Sequence, residues 1–348
     1  MHVFICSAGF EPALVALLGG GKAWGPGVVA VGDAHVVAAT DPMFARQILP
    51  DATAVFGASI RELAERALEI VLSRLEQCPG PWRLDVFAPD SPVDANLHGE
   101  TDRRASLVRD RFVVELKARR RAVGRRRTED AGAMRVQLLL MDRDRLIVSL
   151  ATPVALACGA LWPSPFVGGR PAIGDDWDAP SSAFRKLEEA LRWMGTDIAL
   201  GARVVDLGAA PGGWSHVALK RGASVVAVDR ADLDPRVGTH PRLTHVRRTA
   251  FSFEPDDPPV DWLLCDVIAA PEKSRGLLDR WLSKDWCRHF AFHLKFKGRG
   301  DYRLAEGAVK SARDSGFVVR AKHLFHDKNE VTLWGRRAPR EMAPPTLR

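Results

Sequence analysis

The sharpest chemical signal in the chain is Val204-Val205-Asp206-Leu207-Gly208-Ala209-Ala210-Pro211-Gly212-Gly213-Trp214. An apolar run ends in an acid, passes through small residues and enters a segment of helical pattern. Such a loop at the carboxyl end of a strand lets a ligand approach the backbone closely. A pyrophosphate fits poorly. A dinucleotide fingerprint reads GxGxxG and sets phosphate on amide N–H groups. Pro211 has no N–H to offer, and a carboxylate at Asp206 repels a diphosphate. S-Adenosylmethionine carries a sulfonium and an ammonium and no phosphate, so an acid beside the loop favours it. The following strand ends in Asp229, which can accept bonds from both ribose hydroxyls, a feature shared with NAD sites. S-Adenosylmethionine is the best fit, ahead of a purely structural glycine turn and a nicotinamide cofactor.

Four more residues matter once a methyl donor is assumed. Lys186 lies on a helix before the glycine-rich strand, Asp266 ends WLLCD, Lys295 lies near the end of HFAFHLK, and Glu330 begins EVTLWG. Three of them fall at strand termini, where doubly wound sheets build their sites. Methylating a ribose 2′-hydroxyl requires that oxygen to lose its proton. A lysine serves as base only if its pKa is pulled down, and burial or a second lysine does this. Two carboxylates can orient the ammonium groups and limit the net charge. Each residue alone reads as a surface charge; their joint placement and order carry the weight.

The segment ELKARRRAVGRRR holds Lys117, Arg119, Arg120, Arg121, Arg125, Arg126 and Arg127. Like charges at this density need a polyanion or solvent. Guanidinium forks suit phosphate, and the plain alternative is a solvated helix face.

These residues need elements to hold them. Residues 1–55 read as a small α/β unit: a strand at HVFIC, a helix from Ala13, and two strands in 27–40. Ile60, Leu63, Ala67, Ile70, Val71 and Leu75 recur at helical spacing, and Ser59 with Glu62 forms a capping box. A strand at 82–88, a helix from about Ala105 to Arg121 and a hairpin at 134–152 complete a second small α/β domain, 56–158. Residues 159–180, rich in Gly, Pro and Trp, read as a linker. In 181–337 strands alternate with helices, which implies a parallel, doubly wound, Rossmann-like sheet. Residues 338–348 read as a tail.

Composition narrows the setting. The chain has 348 residues, 46% hydrophobic and 27% charged, with net charge +7. This is a soluble globular composition. No apolar run nears the roughly 20 residues that span a bilayer, so no membrane partner is expected, and the N-terminus lacks a secretory pattern. The five cysteines are scattered without a CxxC pair. This argues against a disulfide framework or a structural zinc, and fits a reducing cytosol. No clustered His/Cys ligand set is evident, so no metal is expected. The charge is uneven. Residues 1–100 hold six Lys/Arg against twelve Asp/Glu, while residues 101–130 hold eleven against five, which points to a polyanionic partner.

The sequence resembles the FtsJ-type RNA 2′-O-ribose methyltransferases. The resemblance rests on DLGAAPGGW, on Ser181 with Lys186 to Ala190 (S-x-x-x-x-K-L-E-E-A), and on the order Lys186, Asp266, Lys295, Glu330. It extends to Gly9 to Glu11 (GFE), to HDKNEVT at 326–332, and to a middle domain placed like a THUMP domain. It implies an S-adenosylmethionine-dependent enzyme, with 2′-O-methylation of a cytidine in 23S ribosomal RNA and Lys295 as general base. With the loop included, the expected donor contacts are Ser181, Asp206, Gly208, Ala210, Pro211, Gly212, Gly213, Trp214, Asp229 and Asp266. In such an enzyme the arginine-rich segment reads as an RNA contact. Two positions depart from the family pattern. Ala210 stands where a cysteine is usual, and Thr249 stands where an aspartate usually contacts the donor. Two other readings stay open: a methyltransferase acting on another RNA such as tRNA, and a catalytically silent RNA-binding module.

Overall fold

The computed structural model describes residues 1–32, 41–90, 95–156, 158–298 and 302–339, with the backbone alone for 95–102. The second strand expected in 27–40 and nearly all of the tail lie outside the described residues. The chain divides into two compact units, Met1–Ala172 and Ile173–Arg348. Among the described residues no helix is long and apolar enough to cross a membrane.

The first unit begins with β1 (His2–Ile5), α1 (Glu11–Leu18), β2 (Lys22–Gly25), β3 (Val28–Val31) and β4 (Gln47–Leu49). These strands form an antiparallel sheet in the order β2-β3-β1-β4. Glu11 of the GFE motif is buried and accepts the Gly9 amide at 2.9 Å and the Gly27 amide at 2.5 Å. It therefore ties the turn after β1 to the start of β3. Next come β5 (Thr53–Phe56), α2 (Ile60–Gln77), β6 (Trp82–Phe87), α3 (Ala95–Arg119), α4 (Arg121–Gly124), β7 (Met134–Leu140) and β8 (Arg145–Ala151). Their sheet order is β5-β8-β7-β6, with only β6 and β7 parallel. Ser59 caps α2 by accepting the Glu62 amide at 3.1 Å. The Glu62 carboxylate reaches back to the Ala58 amide at 2.8 Å, one residue before the position a capping box uses. Leu63, Ala67, Val71 and Leu75 then pack with Val108, Phe112 and Leu116 of α3.

The structure departs from two sequence expectations here. The stretches 1–55 and 56–158 share an apolar cluster, with Val3 and Ile5 against Phe87, Leu139 and Ile147, and so belong to one unit. Residues 159–172 are not a free tether. After β9 (Val154–Ala155) and β10 (Leu161–Trp162), Ser164 is fully buried. Its amide donates to Gln47 Oε1 at 2.7 Å, and Gln47 Nε2 donates to the carbonyls of Ser164 and Phe166.

The second unit runs through α5 (Phe184–Met194), β11 (Arg203–Leu207), α6 (Gly213–Lys220), β12 (Ser224–Val228), α7 (Pro235–Gly238), β13 (Leu243–Val246), β14 (Val260–Cys265) and α8 (Pro271–Ser283). It ends with β15 (Cys287–Lys295), α9 (Arg303–Asp314), β16 (Phe317–Lys322) and β17 (Glu330–Arg337). Among the described residues its sheet has the order β13-β12-β11-β14-β15-β17-β16. The pairings from β13 through to β15 are parallel. β17 is the exception, antiparallel to both neighbours. The short 323–329 connection is too brief for a crossover to a parallel strand, which takes a dozen or more residues. β17 therefore returns beside β16 in the opposite sense. The reversal has a consequence for chemistry: it brings Glu330, the first residue of β17, to the edge where the parallel strands end, in register with Lys295.

Candidate active site

The 208–213 loop is shaped by its glycines. Gly208 has φ +76°, and a Cβ there would stand 2.8 Å from the Val267 Cα, so no larger residue fits without moving backbone. Its amide donates to the Val228 carbonyl at 2.9 Å, and the Asp266 amide donates to the Leu207 carbonyl at 3.2 Å. The ends of β11, β12 and β14 are thus laced together under the loop. Gly213, which opens α6, lies against Ser181, whose Oγ would be 2.6 Å from a Cβ at that position. That Oγ is buried and has no hydrogen-bond partner. Asp229 at the end of β12 accepts the Ala210 amide at 3.1 Å and the Ala231 amide at 3.0 Å, and remains half-buried at the loop.

Two expected donor contacts take other positions. Asp206 is fully buried beneath the loop and accepts the Ser215 hydroxyl at 2.7 Å. Burial, set against the Ser215 bond, pushes its carboxyl up to about 7. Its role in the structure is to fix α6 to β11, and it offers no exposed charge to a ligand. Trp214 is also buried, with its indole N–H on the Ala183 carbonyl at 3.0 Å and its ring in the core between α5 and α6. Thr249 follows β13, half-buried.

The four charged residues form two ion pairs at the same edge. Lys186, from α5, is bonded to Glu330. Lys295 Nζ donates to Asp266 twice, to Oδ1 at 2.8 Å and to the main-chain carbonyl at 2.7 Å. The pairs are linked through the register of Lys295 with Glu330. Burial pulls Lys186 below the usual lysine pKa, against the opposing pull of Asp266 and Asp327. Burial pushes Asp266 up, but His293 and Lys295 outweigh it and hold this carboxyl well below the usual range.

Residues 180–314 match the model of the FtsJ-like methyltransferase family. This part of the chain is an FtsJ-like methyltransferase domain. Among curated relatives, the ribosomal RNA large subunit methyltransferase M of Halorhodospira halophila is 37% identical over 179 residues, 51% of each chain. The protein of the same name from Serratia proteamaculans is 35% identical over 225 residues, 59% of this chain and 61% of that one. The chain thus spans about half to three-fifths of the length of these relatives. Among solved structures, TrmN of Thermus thermophilus overlaps 96% of this chain and 99% of its own, with 14% identity and a TM-score of 0.36.

The methyltransferase domain takes S-adenosylmethionine as its cofactor, and the loop fits that group. The orphaned Ser181 Oγ can accept an ammonium hydrogen. Asp229 keeps lone pairs for ribose hydroxyls, and the close packing of Gly208 on Val267 and of Gly213 on Ser181 fixes the loop's backbone. Ala210 and Pro211 lie toward the loop's surface, and Gly212 is buried against Val237.

Three groups in this domain escape a reading of sequence spacing. Glu189, from the K-L-E-E-A stretch, is fully buried and accepts the Phe325 amide at 2.8 Å, the His326 amide at 3.0 Å and the His326 ring at 2.8 Å. It shapes the turn that delivers Glu330. Asn329 braces the same turn, donating to the Phe296 carbonyl at 2.9 Å and accepting the Tyr302 hydroxyl at 3.1 Å. His293 and Asp327 are buried beside Glu330, and the three place ligand-type atoms within 4.8 Å of one another. No such cluster was evident from the chain's linear order. In the structure the Lys186 ammonium occupies the cationic role against Glu330.

In the first unit, Lys117, Arg119, Arg120, Arg121, Arg125 and Arg127 are exposed. Arg120 meets Glu76 at 3.0 Å, and Arg119 lies 3.4 Å from Glu115 and 3.7 Å from Glu65. Arg126 differs. Its guanidinium donates to the carbonyls of Leu75, Cys78 and Gly80 at 2.8–3.1 Å, capping the end of α2. It drops out of the set available to a polyanion, because its guanidinium is committed to carbonyls at the end of α2 and in the turn after it.

Proposed function

We propose that this protein methylates a ribose 2′-hydroxyl of RNA, and that the substrate is a cytidine of 23S ribosomal RNA. The observation that carries the reading is the pair of hydrogen bonds from Lys295 Nζ to Asp266. A neutral lysine amine has two hydrogens and one lone pair. Once Lys295 has given up a proton, its two remaining hydrogens are held by Asp266 Oδ1 and by its carbonyl, which turns the lone pair away from Asp266 toward an incoming hydroxyl. Lys295 is the general base in this reading. Asp266 orients it, and Lys186 and Glu330 complete a locally balanced set of charges. Bound S-adenosylmethionine supplies an activated methyl group; Ser181, the 210–213 loop and Asp229 hold it. Residues 56–158 act as a THUMP-like RNA-binding part, with the exposed arginines of 117–127 on phosphates. The setting is the cytoplasm, consistent with five free cysteines. The names of the curated relatives favour large-subunit ribosomal RNA over tRNA.

A second assignment of the base has one observation behind it: burial lowers Lys186. Lys186 is bonded to Glu330 by its ammonium, and the family pattern that the four residues resemble places the base at Lys295, with Lys186 beside it. Mapping methylated riboses in cellular RNA with and without the protein tests the function. Loss of one 2′-O-methyl cytidine in 23S RNA is expected. Loss of a tRNA methyl group instead, or no change at any ribose, overturns the assignment.

A further inference from the structure

His293 lies behind the paired charges, and the chemistry above does not use it. It precedes Lys295 by two residues on β15, so both side chains leave the same face of the strand. The ring is fully buried. Its Nδ1 lies 2.8 Å from Asp266 Oδ1, the same oxygen that holds Lys295 Nζ. Its Nε2 faces Asp327 Oδ1 at 3.8 Å, and neither of these two atoms has a hydrogen-bond partner. The Trp214 ring meets it edge-on, with centroids 4.7 Å apart, and fixes the ring plane. Asp327 is itself anchored through Oδ2, by the Leu324 amide and the Thr332 hydroxyl, both at 2.9 Å.

The hydrogens can be placed by elimination. Asp266 is ionised and can only accept, so Nδ1 carries a hydrogen. In a neutral ring Nε2 is then a bare lone pair facing a second carboxylate, both out of water. Two buried acceptors facing each other are costly. A proton kept on Asp327 removes the conflict between the two acceptors, and burial pushes this carboxyl in the direction that retains it.

We propose that His293 is a positioning residue for methyl transfer: its Nδ1 donor holds Asp266 Oδ1 against Lys295 Nζ, and the Trp214 edge with Asp327 behind keeps the ring in that place. The inference rests on Lys295 being the base. Without the Nδ1 bond, Asp266 Oδ1 is free to turn, and the Lys295 lone pair loses its aim. A displacement of about 1 Å at a reacting group costs on the order of 10²-fold in rate.

The test is a set of variants in the full chain, assayed by steady-state transfer to RNA with S-adenosylmethionine, with KM and kcat separated. Donor affinity and melting temperature are measured alongside. His293→Asn keeps an N–H where Nδ1 stands; His293→Gln reaches toward Asp327 and abandons Asp266. The expected result is a kcat loss on the order of 10²-fold for His293→Gln. Its KM and donor affinity should be unchanged, and His293→Asn should lie close to wild type. Equal losses in the two variants, or a His293→Gln rate near wild type, overturn the proposal. Should His293→Gln fail to fold, Asp327→Asn decides. Its neutral amide can turn N–H toward Nε2 as a protonated carboxyl would, so kcat should be retained, and a loss on the order of 10²-fold refutes the arrangement. A wild-type protein that transfers no methyl group to ribose sinks both readings. Transfer abolished by Lys295→Ala but indifferent to His293→Gln sinks only this one.

Discussion

At the edge of the methyltransferase sheet, Lys186, Lys295, Asp266 and Glu330 give up most of their water and meet in pairs. The arginines of 117–127 in the first unit stand mostly in solvent. Charges that are buried and paired hold one geometry, because removing either partner leaves the other uncompensated. Exposed charges gain little from their neighbours and stay available to a polyanion. Arg126 crosses this boundary. It looks like its neighbours in sequence, but it is tied to three carbonyls and serves the fold. Residue type therefore does not assign a role; the partners do.

The comparison predicts effects of graded size. Lys295→Ala should reduce methyl transfer by roughly 10²–10⁴-fold, the usual cost of losing a general base, with donor affinity nearly intact. Single-turnover rates beside calorimetric titration check this, and near-normal rates remove Lys295 from the chemistry. Asp229→Ala should weaken S-adenosylmethionine binding by about 10- to 100-fold, since a bond to a charged acceptor contributes about 1.5–3 kcal/mol. An unchanged dissociation constant would mean that Asp229 serves only the Ala210 and Ala231 amides.

The exposed arginines should behave differently. Changing Arg119, Arg120, Arg121, Arg125 and Arg127 together to Gln should leave melting and donor binding unaltered. The log–log salt slope of RNA affinity should flatten by about 0.7–0.9 for each phosphate contact removed. Identical slopes would identify the run as a solvated face. Arg126→Ala should do the reverse, lowering stability by about 1 kcal/mol through lost capping bonds and leaving the slope unchanged. A variant that melts like wild type would return Arg126 to the RNA-facing set.

The last effect concerns Asp206 and appears only as a dependence on pH. Its folded pKa is raised above the unfolded value, to about 7. The native state therefore holds the extra proton, and stability falls as pH rises from about 4 through 7. Asp206→Asn removes this dependence while keeping an acceptor for Ser215. The variant should gain melting temperature over wild type at pH 8 but not at pH 5. An equal difference at both values would show that the carboxylate is already ionised in the fold.

Much of the second unit could be read from order alone. The apolar run 203–207 followed by small residues specifies a strand, a tight turn and a helix, because few other conformations suit glycines at 208, 212 and 213. The order Lys186, Asp266, Lys295, Glu330 named the charged set. Local pattern also specified α2 with its Ser59 cap. Tertiary structure decided what depends on contacts between residues remote in sequence. It reversed β17 and so brought Glu330 to Lys295, and it joined 1–55 to 56–158 through a shared core. It enclosed Asp206 under a loop whose sequence suggested exposure, and it set His293 between Asp266 and Asp327. The physical reason is range. Turn conformation and periodicity are properties of a few consecutive residues, whereas burial, ion-pair choice and the shift of a pKa depend on which distant groups exclude water from one another.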